Sequence, residues 1–337
     1  MKTLLTTVIT VIILAGCQSG EIDISFESVN PNATEEVSNL MVYLYSISGE
    51  KTLSGQHCYS KAINSFLDSV FAITDKYQVV WGADFIGKNL RLTMLHEAIK
   101  KHQQGYIITL MYHQGAPSDS VPKGVNRVRY VMNEKEWKDL ITPGTKINQN
   151  WLNDIDEVAA GLKILQENKI PVLWRPYHEM NGTWFWWCDK KGEDGIKKLW
   201  KMMYDRFTNY HKLNNLIWVW NANAPRDKIN DEAYAYNLYY PGNDYVDVLA
   251  TDIYHNDYKQ SHHDQLLDLG QGKLIAIGEC GKLPTPEILQ NMNHFVWFME
   301  WASWLWSAND REDVKRLYHD ERVLTLDEHQ TLFLNQK

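Results

Sequence analysis

The feature that most constrains the fold of this chain is a rhythm in which short apolar runs alternate with longer amphipathic stretches. Eight apolar runs follow one another, at residues 52–56, 79–84, 106–111, 171–175, 216–220, 246–250, 274–278 and 295–299. Runs of this kind are typical of parallel strands that are covered on both faces. Between them, apolar residues recur at helical spacing, most clearly over residues 153–168 and 194–212.

Eight strand–helix units within 337 residues predict an α/β fold, a (β/α)8 TIM barrel, as a single domain over residues 35–337. The alternative is an open doubly wound sheet, but no glycine-rich phosphate-binding loop follows the first strand. A barrel also predicts where functional groups lie, because in such folds they come directly after the strands, at the carboxyl ends.

Residues 1–16 are predicted to be a lipoprotein signal peptide. Their apolar stretch is too short for a comfortable membrane span, and it ends in LAGC at residues 14–17, which resembles the bacterial lipobox. That resemblance implies lipidation of Cys17 and a polar tether over residues 17–34. We expect a bacterial membrane-anchored lipoprotein, on the periplasmic face or at the cell surface. The alternative is a short export signal with an incidental cysteine.

Composition excludes one class of partner and leaves another open. The net charge is −8 and basic residues form no block, so nucleic acid is not an expected partner. The 14 Trp and 18 Tyr residues are either core filler or sugar-stacking surfaces. Without Cys17, Cys58, Cys188 and Cys280 remain, with no CxxC spacing, which argues against a zinc site. One disulfide is possible, but the sequence does not identify the pair.

Two carboxylates stand where a barrel would place catalytic groups. The fourth run leads through Arg175 to Glu179, and the seventh ends in Glu279 between glycine and cysteine. Charged groups at these points need partners or a ligand, because burying them unpaired is costly. Two carboxylates across one barrel mouth, about 5–5.5 Å apart, are what retaining glycosidases use. The alternative is that both are ordinary ion-pair partners at the barrel rim.

The surroundings of the two carboxylates predict unequal proton affinities. Arg175 is placed to keep Glu279 ionised, since a nearby positive charge favours the charged form. Glu179 lies among Trp and Tyr residues, and partial desolvation would keep it protonated. Glu179 is therefore predicted to be the acid/base and Glu279 the nucleophile. No metal or cofactor is expected, because His178 and His255 lack the spacing of metal ligands.

Several longer segments resemble glycoside hydrolase family 26, whose best-known members are β-mannanases. The segments are WRPYHEMNGTWFWW (174–187), IWVWNANAP (217–225), TDIYH (251–255), IGECG (277–281) and FVWFMEW (295–301), preceded by SGQH (54–57), WGADF (81–85) and ITLMYHQ (108–114). The resemblance implies an enzyme that cleaves β-1,4-mannosidic linkages in mannan, decorated mannans or manno-oligosaccharides with retention. We expect the protein to be a monomer. Action on β-1,3-xylan or mixed-linkage β-glucan remains an alternative, as does a non-catalytic glycan-binding lipoprotein.

The resemblance also implies a set of substrate-binding residues: His113, His178, Trp184, Tyr254, Trp301 and Arg175. His178 would contact the sugar at the cleavage point, and Tyr254 would hydrogen-bond the nucleophile. Trp184 and Trp301 would wall that sugar, whereas Arg175 is expected mainly to support Glu279.

Some of these assignments have open alternatives. His113 could be purely structural, and Asp84 could bind sugar or cap a helix. Trp301 could lie in the core, with Trp304 or Trp306 facing the substrate instead, and Trp186 and Trp187 are expected in the core.

Two further features bear on the shape of the cleft. Cys280 follows the predicted nucleophile where a bulkier residue is expected, so we expect a wider neighbouring subsite. The segment over residues 116–150 is longer than an ordinary connection and is expected to shape the distal subsites and so the endo or exo mode.

Overall fold

The computed structural model describes residues 27–85 and 88–334, so the predicted signal peptide and Cys17 lie outside the described residues. Its strands are β1 (Thr52–His57), β2 (Val80–Asp84), β3 (Ile107–Tyr112), β4 (Val172–Pro176), β5 (Leu216–Asn223), β6 (Val248–Ile253), β7 (Leu274–Cys280), β8 (Phe295–Glu300) and a short β9 (Val323–Leu324). Each of the eight predicted runs overlaps one of the first eight strands.

These eight strands close into a parallel barrel. Each pairs with its neighbour in sequence, and β1 pairs in parallel with both β2 and β8, which joins the two ends of the sheet. The short β9 adds to β1 at its beginning. The prediction of a (β/α)8 barrel is confirmed. Strands β5 and β7 continue past their predicted ends, and these extensions carry polar residues into the barrel mouth.

The helices are α1 (Glu35–Ile47), α2 (Ser65–Thr74), α3 (Lys88–Gln103), α4 (Glu134–Leu140), α5 (Lys146–Glu167), α6 (Ile196–Asp205), α7 (Gln260–Gly270), α8 (Pro286–Asn291), α9 (Trp304–Ala308), α10 (Arg311–Tyr318) and α11 (Leu326–Leu334). Helix α5 begins earlier than predicted because the Thr145 side chain caps it, accepting a hydrogen bond from the Asn148 amide at 3.2 Å. Helix α6 continues as a π-helical turn over Arg206–Tyr210.

The core consists of two apolar clusters, and neither of them closes the end of the barrel where the strands finish. One apolar cluster lies between the strands and the surrounding helices, and a second fills the barrel interior. Helix α1 contributes Val37, Met41 and Leu44 to the interior cluster, so it closes the end where the strands begin. Nine of the 14 Trp residues are fully buried, so most of the tryptophans are core. The opposite end is where the strands finish and the polar residues gather.

The chain is fixed to the barrel from Ser28 onwards. The Val29 amide donates to Asp247 at 2.9 Å, and the Asn30 side chain donates to the Leu213 carbonyl at 3.2 Å. The last residues of the predicted tether are therefore packed against the domain. No described helix is long and apolar enough to cross a membrane.

Candidate active site

A cavity of about 690 Å³ opens where the strands end. It is lined by residues at or just after the carboxyl ends of all eight barrel strands, among them Asp84, His113, Glu179, Tyr254, Glu279 and Trp301. The structure therefore brings together, at one barrel mouth, residues from distant parts of the chain, from His57 to Trp304.

Glu179 is held in a strained turn directly after β4. Its φ is +56° and that of Tyr177 is +49°, a left-handed conformation that costs a non-glycine residue about 1–2 kcal/mol. Local contacts offset this cost, since the Glu179 amide donates to the Asn221 carbonyl at 2.8 Å. The carboxylate accepts hydrogen bonds from Trp184 Nε1 at 2.6 Å and from the Asn223 side-chain amide. The turn thus fixes the position of the carboxylate.

Glu279 lies near the end of β7 and is held from behind by a cation. Arg175 Nη2 donates to one of its carboxylate oxygens at 3.0 Å, and the Tyr254 hydroxyl donates to the other at 2.9 Å. Arg175 is itself anchored by Asn221 at 2.7 Å and by the Gly278 carbonyl at 2.6 Å. Arg175 is buried and does not line the cavity, so it supports Glu279 and does not touch a ligand there.

The distance between the two carboxylates decides what chemistry they can share. Carboxylate oxygens of Glu179, Glu279 and a third acid, Asp252, all lie within 4.8 Å of one another. Retaining glycosidases need about 5–5.5 Å between the carboxyl groups, whereas inverting enzymes need roughly 6.5–9.5 Å to admit a water. The separation therefore suits direct attack by one carboxylate while the other transfers a proton.

The two glutamates differ in the groups that compensate their charge. Burial, together with the negative charge of Glu279, raises the pKa of Glu179 to about 7, despite hydrogen bonds from Trp184 and Asn223. Burial also raises the pKa of Glu279, but the guanidinium of Arg175 and the hydroxyl of Tyr254 lower it again. Because the cation contacts Glu279, Glu279 is the carboxylate that ionises first. At neutral pH Glu179 still holds its proton in a large fraction of molecules.

Asp252 is buried and is the third acid in the cluster formed with Glu179 and Glu279. Its burial and the charges of Glu279 and Glu179 raise its pKa well above the usual range, so it is neutral beside them. Among the described residues, these three carboxyl groups are also close enough together to hold a metal ion. Arg175, which lies 3.0 Å from Glu279 and 3.9 Å from Asp252, already supplies positive charge there. The site therefore meets the requirements of acid–base chemistry with its own residues.

Two histidines that line the cavity have pKa values shifted in opposite directions. His113 Nδ1 lies 2.6 Å from Asp84, so Asp84 orients this ring and does not cap a helix through that contact. Burial alone would lower the pKa of His113, but Asp84 and the two catalytic-site glutamates outweigh it and raise the pKa. Burial lowers the pKa of His178 far below its usual value, so His178 is neutral. A neutral imidazole can both donate to and accept from a hydroxyl group.

Aromatic rings form the walls of the cavity. Trp184 and Phe185 line it on one side, while Trp186 and Trp187 are buried in the core, as expected. Trp301 lines the cavity and stacks on His57, with 4.0 Å between ring centroids and 13° between ring planes.

The expectation for Cys280, the residue after Glu279, was wrong. Its side chain is fully buried and is absent from the cavity lining, so it does not widen a subsite. Successive residues of a strand point to opposite faces, and the side chain of Glu279 points to the face with the cavity.

Gly281, the residue after Cys280, shapes the cavity wall, because a Cβ there would lie 2.9 Å from the Trp304 ring. Trp304 therefore faces the cavity together with Trp301. The three described cysteines are free.

Several residues of the site were not predicted from the sequence. Asn223 hydrogen-bonds Glu179, Asp252 has a carboxylate oxygen within 4.8 Å of both glutamates, and Arg226 and Phe185 line the cavity. Asn223 and Asp252 are polar residues within strands, at the ends that reach the mouth. That position was a usable signal, because a polar side chain inside a barrel strand needs a partner or a ligand.

Replacing Gly278 by alanine is expected to destabilise the protein. A Cβ at this position would lie 1.8 Å from the Asn221 side-chain oxygen and 2.9 Å from Arg175 Nη1. Such overpacking costs about 1–3 kcal/mol or more, and it displaces the anchor of Arg175. We expect a lower midpoint of thermal unfolding for Gly278→Ala, measured by calorimetry. An unchanged midpoint would contradict this packing.

Comparison with known proteins gives a consistent family. The sequence model of glycosyl hydrolase family 26 matches residues 29–328. A mannan endo-1,4-beta-mannosidase of Thermothelomyces thermophilus is 35% identical over 331 residues, covering 89% of this chain and 62% of the relative. One from Bacillus subtilis is 27% identical over 325 residues, covering 88% of this chain and 87% of the relative.

Solved structures agree with the sequence relatives. GH26A from Muricauda sp. is 50% identical with a TM-score of 0.85, covering 89% of this chain and 99% of that chain. The chain spans 62% and 50% of the lengths of two curated relatives, from Thermothelomyces and Piromyces. The family match covers nearly all of the described residues, and the barrel and its paired carboxylates agree with it. The chain belongs to glycosyl hydrolase family 26.

Proposed function

We propose that this protein hydrolyses β-1,4-mannosidic linkages in mannan or decorated mannans with retention of configuration. One observation carries the proposal: carboxylate oxygens of Glu179 and Glu279 lie within 4.8 Å of each other. Of the two, only Glu279 accepts a hydrogen bond from a cation, Arg175. The two relatives named above as mannan endo-1,4-beta-mannosidases, from Thermothelomyces thermophilus and Bacillus subtilis, support the choice of substrate.

The first step breaks the glycosidic bond. A carboxylate oxygen of Glu279 attacks the anomeric carbon, and the proton of Glu179 passes to the departing glycosidic oxygen. The transition state resembles an oxocarbenium ion, which the fixed negative charge of Glu279 stabilises. The product is a sugar bound covalently to Glu279, while Arg175 and Tyr254 keep the carboxyl group oriented.

The second step releases that sugar. Water attacks the anomeric carbon, Glu179 removes a proton from the water, and the bond to Glu279 breaks. Two inversions at the same carbon restore the β configuration. The neutral ring of His178, which lies at the cavity beside Glu179, offers a hydrogen-bonding partner for a hydroxyl of the bound sugar.

Hydrolysis of mannohexaose followed by proton nuclear magnetic resonance tests the proposal. We expect the β anomer to appear first and the chain-length distribution of products to report endo or exo action. Mannan, β-1,3-xylan and mixed-linkage β-glucan are compared in parallel, with mannan expected to be cleaved fastest. An α anomer formed first, faster cleavage of another glycan, or binding of mannan without release of reducing ends would contradict the proposal.

The alkaline limb of the pH profile is expected to depend on Arg226. Its positive charge lowers the pKa of Glu179, which burial brings to about 7. Glu179 must be protonated for the first step, so activity falls as the pH rises through that pKa. Arg226→Met removes the charge and raises the pKa, so the fall in kcat/KM moves to higher pH.

A matched surface variant controls this measurement. Arg316 is ion-paired with Glu287 at 2.8 Å, both largely exposed, on α10 and α8 away from the cavity. Arg316→Met should leave the pH profile unchanged. A limb that stays in place, or moves to lower pH, in Arg226→Met would contradict the assignment of the limb to Glu179.

We also propose that Cys17 anchors the enzyme to a bacterial membrane, on the periplasmic face or at the cell surface, as the lipobox-like LAGC sequence suggests. Expression in a bacterial host with an alkyne-tagged fatty acid tests this. The unaltered chain should be labelled and pellet with membranes, whereas Cys17→Ser should not. Cys58→Ser, which alters a buried cysteine, is the control and should stay labelled. An unlabelled wild type would refute the anchor.

A further inference from the structure

A second cavity, of about 510 Å³, opens beside the catalytic one. It lies between α3 and α5, on the other side of the long segment that follows β3. Three residues, His113, Asn126 and Val128, line both cavities and form the wall between them. A substrate bound in the catalytic cavity therefore has the second cavity within reach of its neighbouring units.

The second cavity contains a buried cation fixed in place. Arg91 is 7% exposed, and its guanidinium donates to the Tyr112 hydroxyl at 2.9 Å and to the Phe85 carbonyl at 3.3 Å. Its Nη1 atom lies 3.5 Å from Glu157, at the outer edge of the cavity. The ring and the carbonyl hold Arg91 while part of the guanidinium faces the cavity.

A carboxylate is fixed next to this cation. Asp154 accepts hydrogen bonds from Tyr112 at 2.6 Å and from Gln114 at 2.7 Å through one oxygen. Its other oxygen lies 3.6 Å from Arg91, too far for a strong hydrogen bond. A donor and an acceptor thus stand side by side in fixed orientations, with Asn150 and Asn153 from the next turns of α5 beside them.

This mixture of charges selects the kind of ligand. The charged residues of the lining that the structure describes are three acids, Asp119, Asp154 and Glu157, which repel an anion, and two cations, Arg91 and Arg127, which repel a metal ion. An apolar group would remove water from charged side chains without replacing its hydrogen bonds. A neutral ligand with several hydroxyl groups satisfies both kinds of partner, because each hydroxyl donates and accepts.

The two cavities also differ in their aromatic content. The catalytic cavity has Trp184, Trp301 and Trp304 as flat surfaces for stacking, whereas the second has neither Trp nor Phe in its described lining. A main-chain sugar held by stacking belongs in the first. We propose that the second cavity binds a hexosyl branch of a decorated mannan through its hydroxyl groups. This inference rests on the proposed function and names the substrate feature that the site accepts.

Kinetics on branched and linear substrates test the proposal. The probes are a galactosyl-substituted manno-oligosaccharide and the linear oligosaccharide of the same main-chain length. The variants are Asn153→Ala and Glu157→Gln, both at exposed positions on α5 where the fold tolerates change. Each should lower kcat/KM for the branched substrate by roughly threefold to tenfold, as expected for a lost hydrogen bond, and leave the linear substrate unaffected.

A variant on the same helix controls for indirect effects. Glu167→Gln makes the same change near the other end of α5, at an exposed position outside the cavity lining. It should alter neither substrate. Unchanged kinetics of the test variants on both substrates would overturn the inference and leave the proposed function intact. Equal losses on both would assign the cavity to a main-chain sugar, which also overturns it. A wild type that cleaves neither substrate would refute the proposed function itself.

Discussion

Glu279→Ala should lower kcat on mannan by at least about 10⁴-fold, because without the nucleophile no covalent intermediate can form. Glu279 differs from Glu179 in its partners, because Arg175 and Tyr254 both donate hydrogen bonds to it. The acid Glu179 remains, so a good external nucleophile can enter the vacated space. Adding azide should restore part of the turnover and yield the α-mannosyl azide, the product of one inversion.

A second buried glutamate at a strand end provides the control. Glu300 ends β8, is fully buried and is outside the cavity lining. Burial raises its pKa well above the usual range, so it is already neutral, and Glu300→Gln preserves both shape and charge. That variant should keep activity close to wild type. Substantial mannan hydrolysis by Glu279→Ala, or a β-configured azide from it, would exclude Glu279 as the nucleophile.

The barrel could be predicted from the sequence because its strands are buried on both faces. A strand such as β3, with every residue buried, shows up as an unbroken apolar run, and eight such runs leave few alternatives. The ends were harder to place. The apolar runs stop before Asn221 in β5 and before Glu279 in β7, yet pairing with the neighbouring strand β6 continues at both residues. At the mouth, strand residues face an open cavity, so polar residues and strand pairing coexist.

The pair of catalytic-site glutamates was predictable for the same reason, since each follows an apolar run. Their partners depend on contacts between distant segments, such as Asn223 with Glu179 or Asp84 with His113. A single sequence does not show which strand ends meet. The direction of the Cys280 side chain could have been predicted from the sequence alone. Side chains alternate between the two faces of a strand, so Cys280 points away from the face that carries Glu279.

The Trp-Phe-Trp-Trp run after Glu179 shows why side-chain direction needs the backbone. Helical or strand periodicity does not apply, because the segment is a series of turns that starts from the left-handed Glu179. Gly182 has no side chain, and a Cβ there would lie 2.4 Å from the Trp184 ring. The turn therefore folds Trp184 back onto the Glu179 carboxylate and sends Trp186 and Trp187 into the core.

Glu179→Ala should affect substrates according to their leaving groups. On mannan, kcat/KM should fall by about 10²–10⁴-fold, the range that a general acid contributes. An aryl mannoside with a strongly acidic phenol leaves without protonation, so its first step should be nearly normal. Glu279 still forms the intermediate, but water now attacks without a base, and the intermediate accumulates. Azide needs no base, so it should speed release and give the β-mannosyl azide, with two inversions.

The opposite azide anomers separate the two carboxylates in a way that loss of activity cannot. The pH profile adds an independent criterion, because we expect the wild-type alkaline limb to reflect loss of the Glu179 proton as the pH rises through about 7. On the aryl mannoside, Glu179→Ala should lack that limb for the first step. Retention of the limb, or an equal loss on mannan and on the aryl substrate, would show that another group supplies the proton. The candidate would then be Asp252, the neighbouring acid that burial keeps protonated.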